Sequence, residues 1–421
     1  MSSLFSEKRV RQLSLAWGVL IIVGIFLSDI IRVLPSIGIA GLFLTSLVYS
    51  LAQRRIAQRA RWPELLSFVL VYVLHLATGL WRSNLSDPVV QQDLVLELPF
   101  VVLPVSFWLL PDWRAAHKRT LWLVLIGCCV VAAISATSNY LLNAKEINRT
   151  YLESRVMPTV LDHIRFSLLV SMAVLAGTLL IFSRDLSPWL RRITAVCVGL
   201  LFLFQHLLSA RSGLVTLYAG GVLWLGWMGW QLHRWKEVLW SILLIAMLAA
   251  GSLYSFTTLR NKIVDTLTDF DKVKTENAAN YYSVTARVYS YEVAWDIIRA
   301  HPLTGVSKVK LDETMAARYR VRFPQIERPH YLLPHNQFLY NTAAYGAVGL
   351  FIFVVGFYYP LWVGLRRRNI MLLLMYLIVS LSFLVEYTLE TQIGVLTGLF
   401  FIMVAGAPGP PATTTDGQRQ D

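Results

Sequence analysis

Long apolar segments recur along almost the whole of this 421-residue chain. Each is roughly 17–25 residues long, which is enough for an α-helix to cross the hydrocarbon core of a bilayer. Only 15% of the residues are charged and the mean hydropathy is +0.55. This is too little charge to cover the surface of a soluble globular protein, so that class is excluded. The sequence therefore predicts an all-α polytopic integral membrane protein. Twelve spans are predicted, with approximate bounds 13–31, 36–52, 64–81, 94–110, 121–140, 164–182, 193–208, 212–230, 236–256, 338–360, 370–386 and 391–406.

Basic residues are concentrated in six of the connections between these spans, and the six alternate along the chain. Because Lys and Arg in short connections favour the cytoplasmic side, all six are predicted to face the cytoplasm, and both termini with them. The six clusters are Lys8/Arg9/Arg11, Arg54/Arg55/Arg59/Arg61, Arg114/Lys118/Arg119, Arg184/Arg191/Arg192, Arg234/Lys236 and Arg366/Arg367/Arg368.

Four regions follow from this topology. Residues 1–256 are predicted to hold the first nine spans, residues 257–337 a large extramembrane loop subdomain, residues 338–406 the last three spans, and residues 407–421 a disordered cytoplasmic tail. The net charge of +13 lies in short clusters typical of orientation signals and lipid head-group contacts, which disfavours a nucleic-acid partner. The three cysteines lie inside apolar segments without metal-ligand spacing, and no metal site is predicted.

The long loop contains the stretch SVTARVYSYEVAWDIIRAHPLTGV, which begins at Ser283 and is predicted to form an amphipathic helix. An apolar stripe recurs at helical spacing along Val284, Val288, Tyr291, Trp295 and Ile298. Ser283 or Thr285 is expected to cap the helix, and Pro302 and Gly305 to end it. Arg287 borders the stripe. It is interpreted either as an interfacial arginine that snorkels to water or as a ligand for an anion.

Arg211 lies in the tight turn between the seventh and eighth predicted spans, within LLSARSGLV. One interpretation is an anchor to lipid phosphate. The other is an anion site, because Ser212 and Gly213 can open a helix whose free N–H groups favour negative charge.

His335 and Asn336 lie where the long loop enters the tenth predicted span. Asn336 is interpreted as a helix cap or as a partner that orients the imidazole. His335 is either an interfacial residue or a general base, since a histidine with its unperturbed pKa of about 6.5 can accept a proton at neutral pH. His330, five residues earlier, is a weaker candidate, and Arg149, on another non-cytoplasmic loop, is a possible third arginine.

Two arginines and one histidine on the same membrane face indicate a lipid-linked diphosphate as substrate. Arginine presents planar donors to phosphate oxygens, and histidine supplies a base.

Three segments also resemble the bacterial O-antigen ligase superfamily, which includes O-antigen polymerases and protein O-oligosaccharyltransferases. They are ARSGLVTLY, the loop helix ending in AHPLTGV, and PHNQFLYNTAAYGAVGLF. The sequence departs from that pattern at Ser307, where the family often has a second glycine after Gly305.

The resemblance implies a class C-like, metal- and ATP-independent, inverting glycosyltransferase that needs no cofactor. Its donor would be an undecaprenyl-diphosphate-linked O-antigen and its acceptor a sugar hydroxyl of lipid A–core, at the periplasmic face of the bacterial inner membrane. Arg211 and Arg287 match the family's diphosphate-binding arginines, and His335 matches its essential histidine. A polymerase or a protein O-oligosaccharyltransferase remains open as an alternative. A transporter is less favoured, because few ionisable residues fall within the spans.

Overall fold

The computed structural model describes residues 6–54, 56–57, 59–82, 86–152, 155–183 and 186–407. These residues form helices joined by turns, and they contain no β-strand. Arg55 and Arg184 of the predicted basic clusters lie outside the described residues, as does the predicted disordered tail from residue 408 onward.

Eighteen α-helices are present in the described part of the chain. The first nine are α1 (Glu7–Phe26), α2 (Leu34–Gln53), α3 (Trp62–Leu66), α4 (Val69–Arg82), α5 (Pro88–Glu97), α6 (Pro99–Leu109), α7 (Ala115–Leu142), α8 (Ala144–Leu152) and α9 (His163–Phe182). The others are α10 (Pro188–Leu208), α11 (Arg211–Leu232), α12 (Trp235–Ser255), α13 (Thr257–Lys272), α14 (Ser283–Ala300), α15 (Lys308–Arg322), α16 (Gln337–Arg366), α17 (Ile370–Phe383) and α18 (Gln392–Gly406).

Nine helical stretches among the described residues are long and apolar enough to cross a membrane, and α17 and α18 are shorter apolar helices. Each of the twelve predicted spans overlaps a helix or a consecutive pair of helices, the pairs being α3–α4 and α5–α6. The prediction of an all-α polytopic membrane protein is therefore confirmed.

Helix α9 lies at the centre of the bundle, with 72% of its most apolar stretch buried. Its small residues allow neighbouring helices to approach closely, as small residues do in membrane bundles. At Gly177, for example, an added Cβ would lie 2.5 Å from Val198 on α10. By contrast, only 11% of α12 is buried, so α12 lies at the edge of the bundle and exposes its apolar side chains.

Several predicted basic connections meet at one end of the bundle, here named the basic end. Arg61 donates to the carbonyl of Gly406 at 2.8 Å, and Lys118 donates to the carbonyl of Ala407 at 3.0 Å. Arg367 lines the same depression as these two residues. The structure thus brings together clusters that the sequence assigned to one membrane face.

Residues 257–336 lie at the opposite end, named the loop end. Here α13 packs on α8, and α14 packs on α13, α15 and α16. An aromatic group holds these helices together: Tyr289 meets Phe323 edge-on at 4.7 Å, and Tyr319 stacks on Tyr331 at 4.5 Å. The segment is a helical unit docked on the membrane bundle.

Two glycines of the quoted motifs allow close contact between the end of the loop helix and α16. Gly305 has φ 60° and Gly346, where α16 kinks, has φ 69°. A Cβ on Gly305 would lie 2.4 Å from the carbonyl carbon of Ala344, and one on Gly346 would lie 2.2 Å from that of Leu303. Both positions therefore need glycine, for backbone conformation and for space.

The predicted apolar stripe of α14 is wrong in position. Trp295 is 51% exposed, and of the five stripe residues only Ile298 is buried. The buried face instead follows Thr285, Tyr289, Val293 and Ile297, together with four small or apolar neighbours one residue further along. This face has to contact three helices, so it is broader than a stripe that lies on a lipid surface.

Candidate functional site

Arg211 is the first residue of α11, at the loop end. Ser209, with φ 52°, closes the turn from α10, and Ala210 is an N-cap residue without a side-chain acceptor. Arg211 Nη2 donates to Ser283 Oγ at 3.0 Å and lies 3.9 Å from Asp265 Oδ2. A guanidinium group therefore lies beside a helix N-terminus that has no side-chain cap, an arrangement that favours an anion.

The start of α14 is capped by a carboxylate from another helix. Asp269 on α13 is fully buried and accepts from the backbone N–H of Val284 at 2.7 Å and of Thr285 at 2.9 Å. The hydroxyl of Thr285 also donates to Asp269, at 2.8 Å. The expectation that Ser283 or Thr285 caps this helix is thus wrong. Asp269 caps the N-terminus of α14, which leaves the hydroxyl of Ser283 available to Arg211.

One face of α14 connects Arg211, Arg287 and His335, the three residues that the sequence predicts to form the site. Ser283, Arg287 and Tyr291 are spaced four residues apart, so their side chains follow one another along the helix. Ser283 contacts Arg211, and the hydroxyl of Tyr291 donates to the backbone carbonyl of His335 at 2.7 Å. Arg287 lies between these two contacts. The tertiary structure therefore places Arg211, Arg287 and His335 around one helix face.

The side chain of Arg287 is half-buried, and within the described residues no hydrogen bond or ion pair engages it. Its positive charge nevertheless acts on Tyr291 and on Glu386. Burial raises the pKa of Tyr291, and the nearby Arg287 opposes that rise. A partly buried guanidinium that makes no direct contact with a protein carboxylate among the described residues is suited to bind an anionic ligand.

His335 has a carboxylate partner, Glu386, in the connection that follows α17. Its Nδ1 lies 3.2 Å from Glu386 Oε2, and its ring meets the ring of Tyr387 edge-on at 4.9 Å. The predicted eleventh span extended to residue 386, but α17 ends at Phe383, so Glu386 lies outside the helix. This carboxylate–imidazole pair is the feature of the site with most consequence for acid–base chemistry.

Glu386 is held as a carboxylate. Its burial acts to raise its pKa, but the hydrogen bond from His335 and the charges of His335, Arg287 and Arg165 outweigh burial, so the pKa of Glu386 is lowered. Since an ionised carboxylate only accepts hydrogen bonds, the Nδ1 of His335 carries the proton in this pair. The Nε2 lone pair is then left to accept a proton from a ligand.

Asn336 caps α16, as one interpretation of the sequence predicted. Its Oδ1 accepts from the backbone N–H groups of Phe338 and Leu339, both at 3.0 Å. Its Nδ2 also donates to the carbonyl of Leu384 at 3.2 Å. Asn336 therefore fixes the backbone next to His335 against the connection that carries Glu386, and it contacts that connection rather than the imidazole.

The remaining candidates lie further from this pair. Ser212 is half-buried in the first turn of α11, and Arg149 is exposed on α8, a helix that packs on α13. His330 lies in a short 3-10 turn, Arg328–His330, and within the described residues its side chain makes no hydrogen bond or ion pair. Among the described residues, no hydrogen bond or ion pair therefore links His330 to the network around His335.

An apolar cavity of about 540 Å³ opens between α9, α10, α11 and α12. Its lining includes Leu217, Tyr218 and Leu225 of α11, which lie 6 to 14 residues beyond Arg211 on the same helix. At 1.5 Å per residue, the cavity begins about 9 Å from Arg211 and extends to about 21 Å from it. Its volume falls in the range of ligand pockets, roughly 300–1,000 Å³.

The roles of Asp265, Asp269 and Glu386 were missed in the sequence. Glu386 carried a usable signal, since an acidic residue beside a long apolar segment is a candidate for function. The two aspartates carried none, because they belong to a loop rich in charge of both signs.

Residues 196–354 match the family model described as O-antigen ligase. The match runs from within α10 to within α16, and it includes Arg211, Arg287 and His335 but not Glu386. No curated protein matches the chain. This match and the polytopic helical architecture support an assignment to the O-antigen ligase family.

Proposed function

We propose that this protein is an O-antigen ligase that moves a glycan from undecaprenyl diphosphate to a sugar hydroxyl of lipid A–core. The reaction would take place on the periplasmic side of the inner membrane, at the loop end. The observation that carries the proposal is the face of α14 formed by Ser283, Arg287 and Tyr291, which brings both arginines and His335 around one space.

In this reaction the acceptor hydroxyl oxygen attacks the anomeric carbon of the donor. The bond from that carbon to the diphosphate oxygen breaks, and its electron pair leaves with the diphosphate. The hydroxyl proton passes to Nε2 of His335, whose Nδ1–H is directed to Glu386. A single displacement of this kind inverts the anomeric centre. A positioned base typically contributes about 10²–10⁴-fold to such a step.

Arg211 and Arg287 would bind the diphosphate and stabilise the charge that builds on it as it leaves. Arg287 is well placed for this role, because its guanidinium is half-buried and forms no hydrogen bond or ion pair with another described residue. Arg211 is held by Ser283 and by a more distant Asp265, which fixes its position while leaving donors for phosphate oxygens.

The apolar cavity beside α11 would receive part of the undecaprenyl chain. It lies between four helices, one of them the poorly buried α12, and it starts about two turns from Arg211.

A substitution at Gly221 tests this role of the cavity. Gly221 lines the cavity, and a Cβ there would meet nothing within 4 Å. Gly221→Leu should therefore raise the KM for a long-chain donor without a backbone clash. Gly226→Leu is the matched control, since Gly226 also has open space but does not line the cavity.

The central test is transfer by the purified protein, mixed with undecaprenyl-diphosphate glycan and lipid A–core without ATP. Glycan on lipid A–core supports a ligase, and glycan elongated on the carrier supports a polymerase instead. His335→Ala should lose most turnover but still bind the donor, because both arginines remain. His330→Ala is the matched control and should keep its activity. Normal turnover in His335→Ala would refute its role as the base.

A further inference from the structure

A second group of charged side chains lies buried at the loop end, outside the network around His335. It consists of His75 on α4, Asp93 and Glu97 on α5, Lys308 at the start of α15, and Glu390 before α18, and is named the Lys308 cluster. Lys308 Nζ contacts Asp93 and Glu390 and lies 3.7 Å from Glu97 Oε1. His75 Nδ1 lies 3.1 Å from Asp93 Oδ2.

His75, Asp93 and Glu97 each bring a ligand atom within 4.8 Å of the others, a grouping that could hold a metal ion. The ammonium group of Lys308 already lies among these carboxylates and supplies the positive charge they need. Burial acts to lower the pKa of Lys308, but the carboxylates, Glu390 foremost, raise it well above its usual range. The cluster is therefore centred on a side-chain cation.

The backbone before Lys308 is under strain. Ser307 has φ 78° and ψ 144°, a conformation that favours glycine. It is held there because its N–H donates to the carbonyl of Ala344 on α16, at 2.8 Å. A strained residue persists where the surrounding contacts over-determine it. Here those contacts direct Lys308 into the bundle.

The Lys308 cluster is linked to His335 through a short connection, residues 384–391. Glu390, near one end of the connection, contacts Lys308 and accepts from Gln337 Nε2 at 3.1 Å. The Oε1 of Gln337 accepts from the N–H of Leu389 at 2.9 Å. Gln337 is two residues from His335. Glu386, the partner of His335, lies in the same connection.

We propose that Lys308 is a positioning residue for glycan transfer. By holding Glu390 it fixes connection 384–391 in the place where Glu386 meets the imidazole of His335. This inference rests on the proposed function, because it assigns Lys308 a role in the step in which His335 accepts a proton. Lys308 itself does not contact the reacting atoms.

A double-mutant cycle tests this role. Lys308→Met should lower kcat by about 10-fold or more, because a small displacement of catalytic groups is costly, while the KM for the donor stays unchanged since both arginines keep their places. In a Glu386→Gln background, the same substitution should change kcat by less than about two-fold, because its effect passes through Glu386. If the double variant lowers kcat by the full product of the two single effects, Lys308 does not act through Glu386 but on the fold alone. This outcome would overturn the proposal.

Matched variants keep the result interpretable. Lys310→Met removes an exposed lysine two residues further along α15 and should leave kcat unchanged. Lys308→Met leaves buried carboxylates without their cation, so it can fail to accumulate. Lys308→Met/Glu97→Gln restores the charge balance, since Glu97 oxygens have no hydrogen-bond partner among the described residues. Glu390→Gln provides a third route, keeping the side-chain size while weakening the contact with Lys308.

The outcomes separate this proposal from the proposed function. If the wild-type protein transfers no glycan, or if Glu386→Gln retains wild-type kcat, the proposed function or its base assembly is wrong. If both of those expectations hold but Glu390→Gln and the accumulating Lys308 variants retain wild-type kcat, the positioning role of Lys308 alone is rejected.

Discussion

Glu386→Gln is the substitution that most directly tests the chemistry of the site. The amide keeps the size of the side chain but removes the charge, and it can turn a donor toward Nδ1 of His335. The imidazole then loses the acceptor that holds its proton on Nδ1 and its lone pair on Nε2. We expect kcat to fall and the KM for the donor to change little, because Arg211 and Arg287 are untouched.

The size of the effect follows from the hydrogen bond that is lost. A hydrogen bond to a charged group contributes about 1.5–3 kcal/mol, which corresponds to about 10–150-fold in rate. The observed 3.2 Å between His335 Nδ1 and Glu386 Oε2 is longer than the 2.7–2.9 Å typical of a charge-assisted pair. The lower part of the range is therefore expected, about 10–30-fold in kcat.

The assay is single-turnover transfer, so that product release does not mask the chemical step. Glu327→Gln is a suitable control, since Glu327 is an exposed glutamate of the loop. Transfer at the wild-type rate by Glu386→Gln, or a raised KM for the donor with kcat unchanged, would refute this role of Glu386.

The pH profile adds a second check on the same pair. The pKa of Glu386 is lowered in the folded protein. Its ionised form therefore contributes to stability at pH values above the pKa that it has in the unfolded chain. This contribution is lost only as the pH falls through the pKa that it has in the folded protein. The unfolded value for glutamate is about 4.3. Loss of activity as the pH falls toward that value should therefore report protonation of the base and not of Glu386. Unchanged activity down to that value would argue against a histidine base.

Three further predictions concern other parts of the site. Arg287→Ala should nearly abolish transfer and Arg287→Lys recover only part of it, because lysine lacks the planar fork; Arg299→Ala, on the exposed last turn of α14, is the control in the same transfer assay. Asp269→Ala should destabilise the protein by about 2–4 kcal/mol, through loss of a buried helix cap, and an unchanged melting temperature would contradict this. Ser307→Gly should stabilise it by about 1 kcal/mol by relieving strain at φ 78°, a gain that thermal unfolding can measure and that a lower melting temperature would refute.

Features encoded by neighbouring residues were predictable from the sequence. The apolar segments predicted the membrane helices, because length and hydropathy alone decide whether a helix can span a bilayer. Asn336 was predictable as a cap, since a cap bonds N–H groups only two and three residues away. Three of the six basic connections were grouped as predicted, since Arg61, Lys118 and Arg367 line one depression at the basic end.

The tertiary structure alone decided which distant groups face each other. The true cap of α14 is Asp269, from another helix, and the partner of His335 is Glu386, 51 residues further along the chain. Lys308 meets Asp93 across 215 residues. Periodicity identifies which face of one helix is apolar, but it does not say which helices surround it. For that reason the buried face of α14 was misplaced, and the charge pairs that complete the site emerged only from the packing of the bundle.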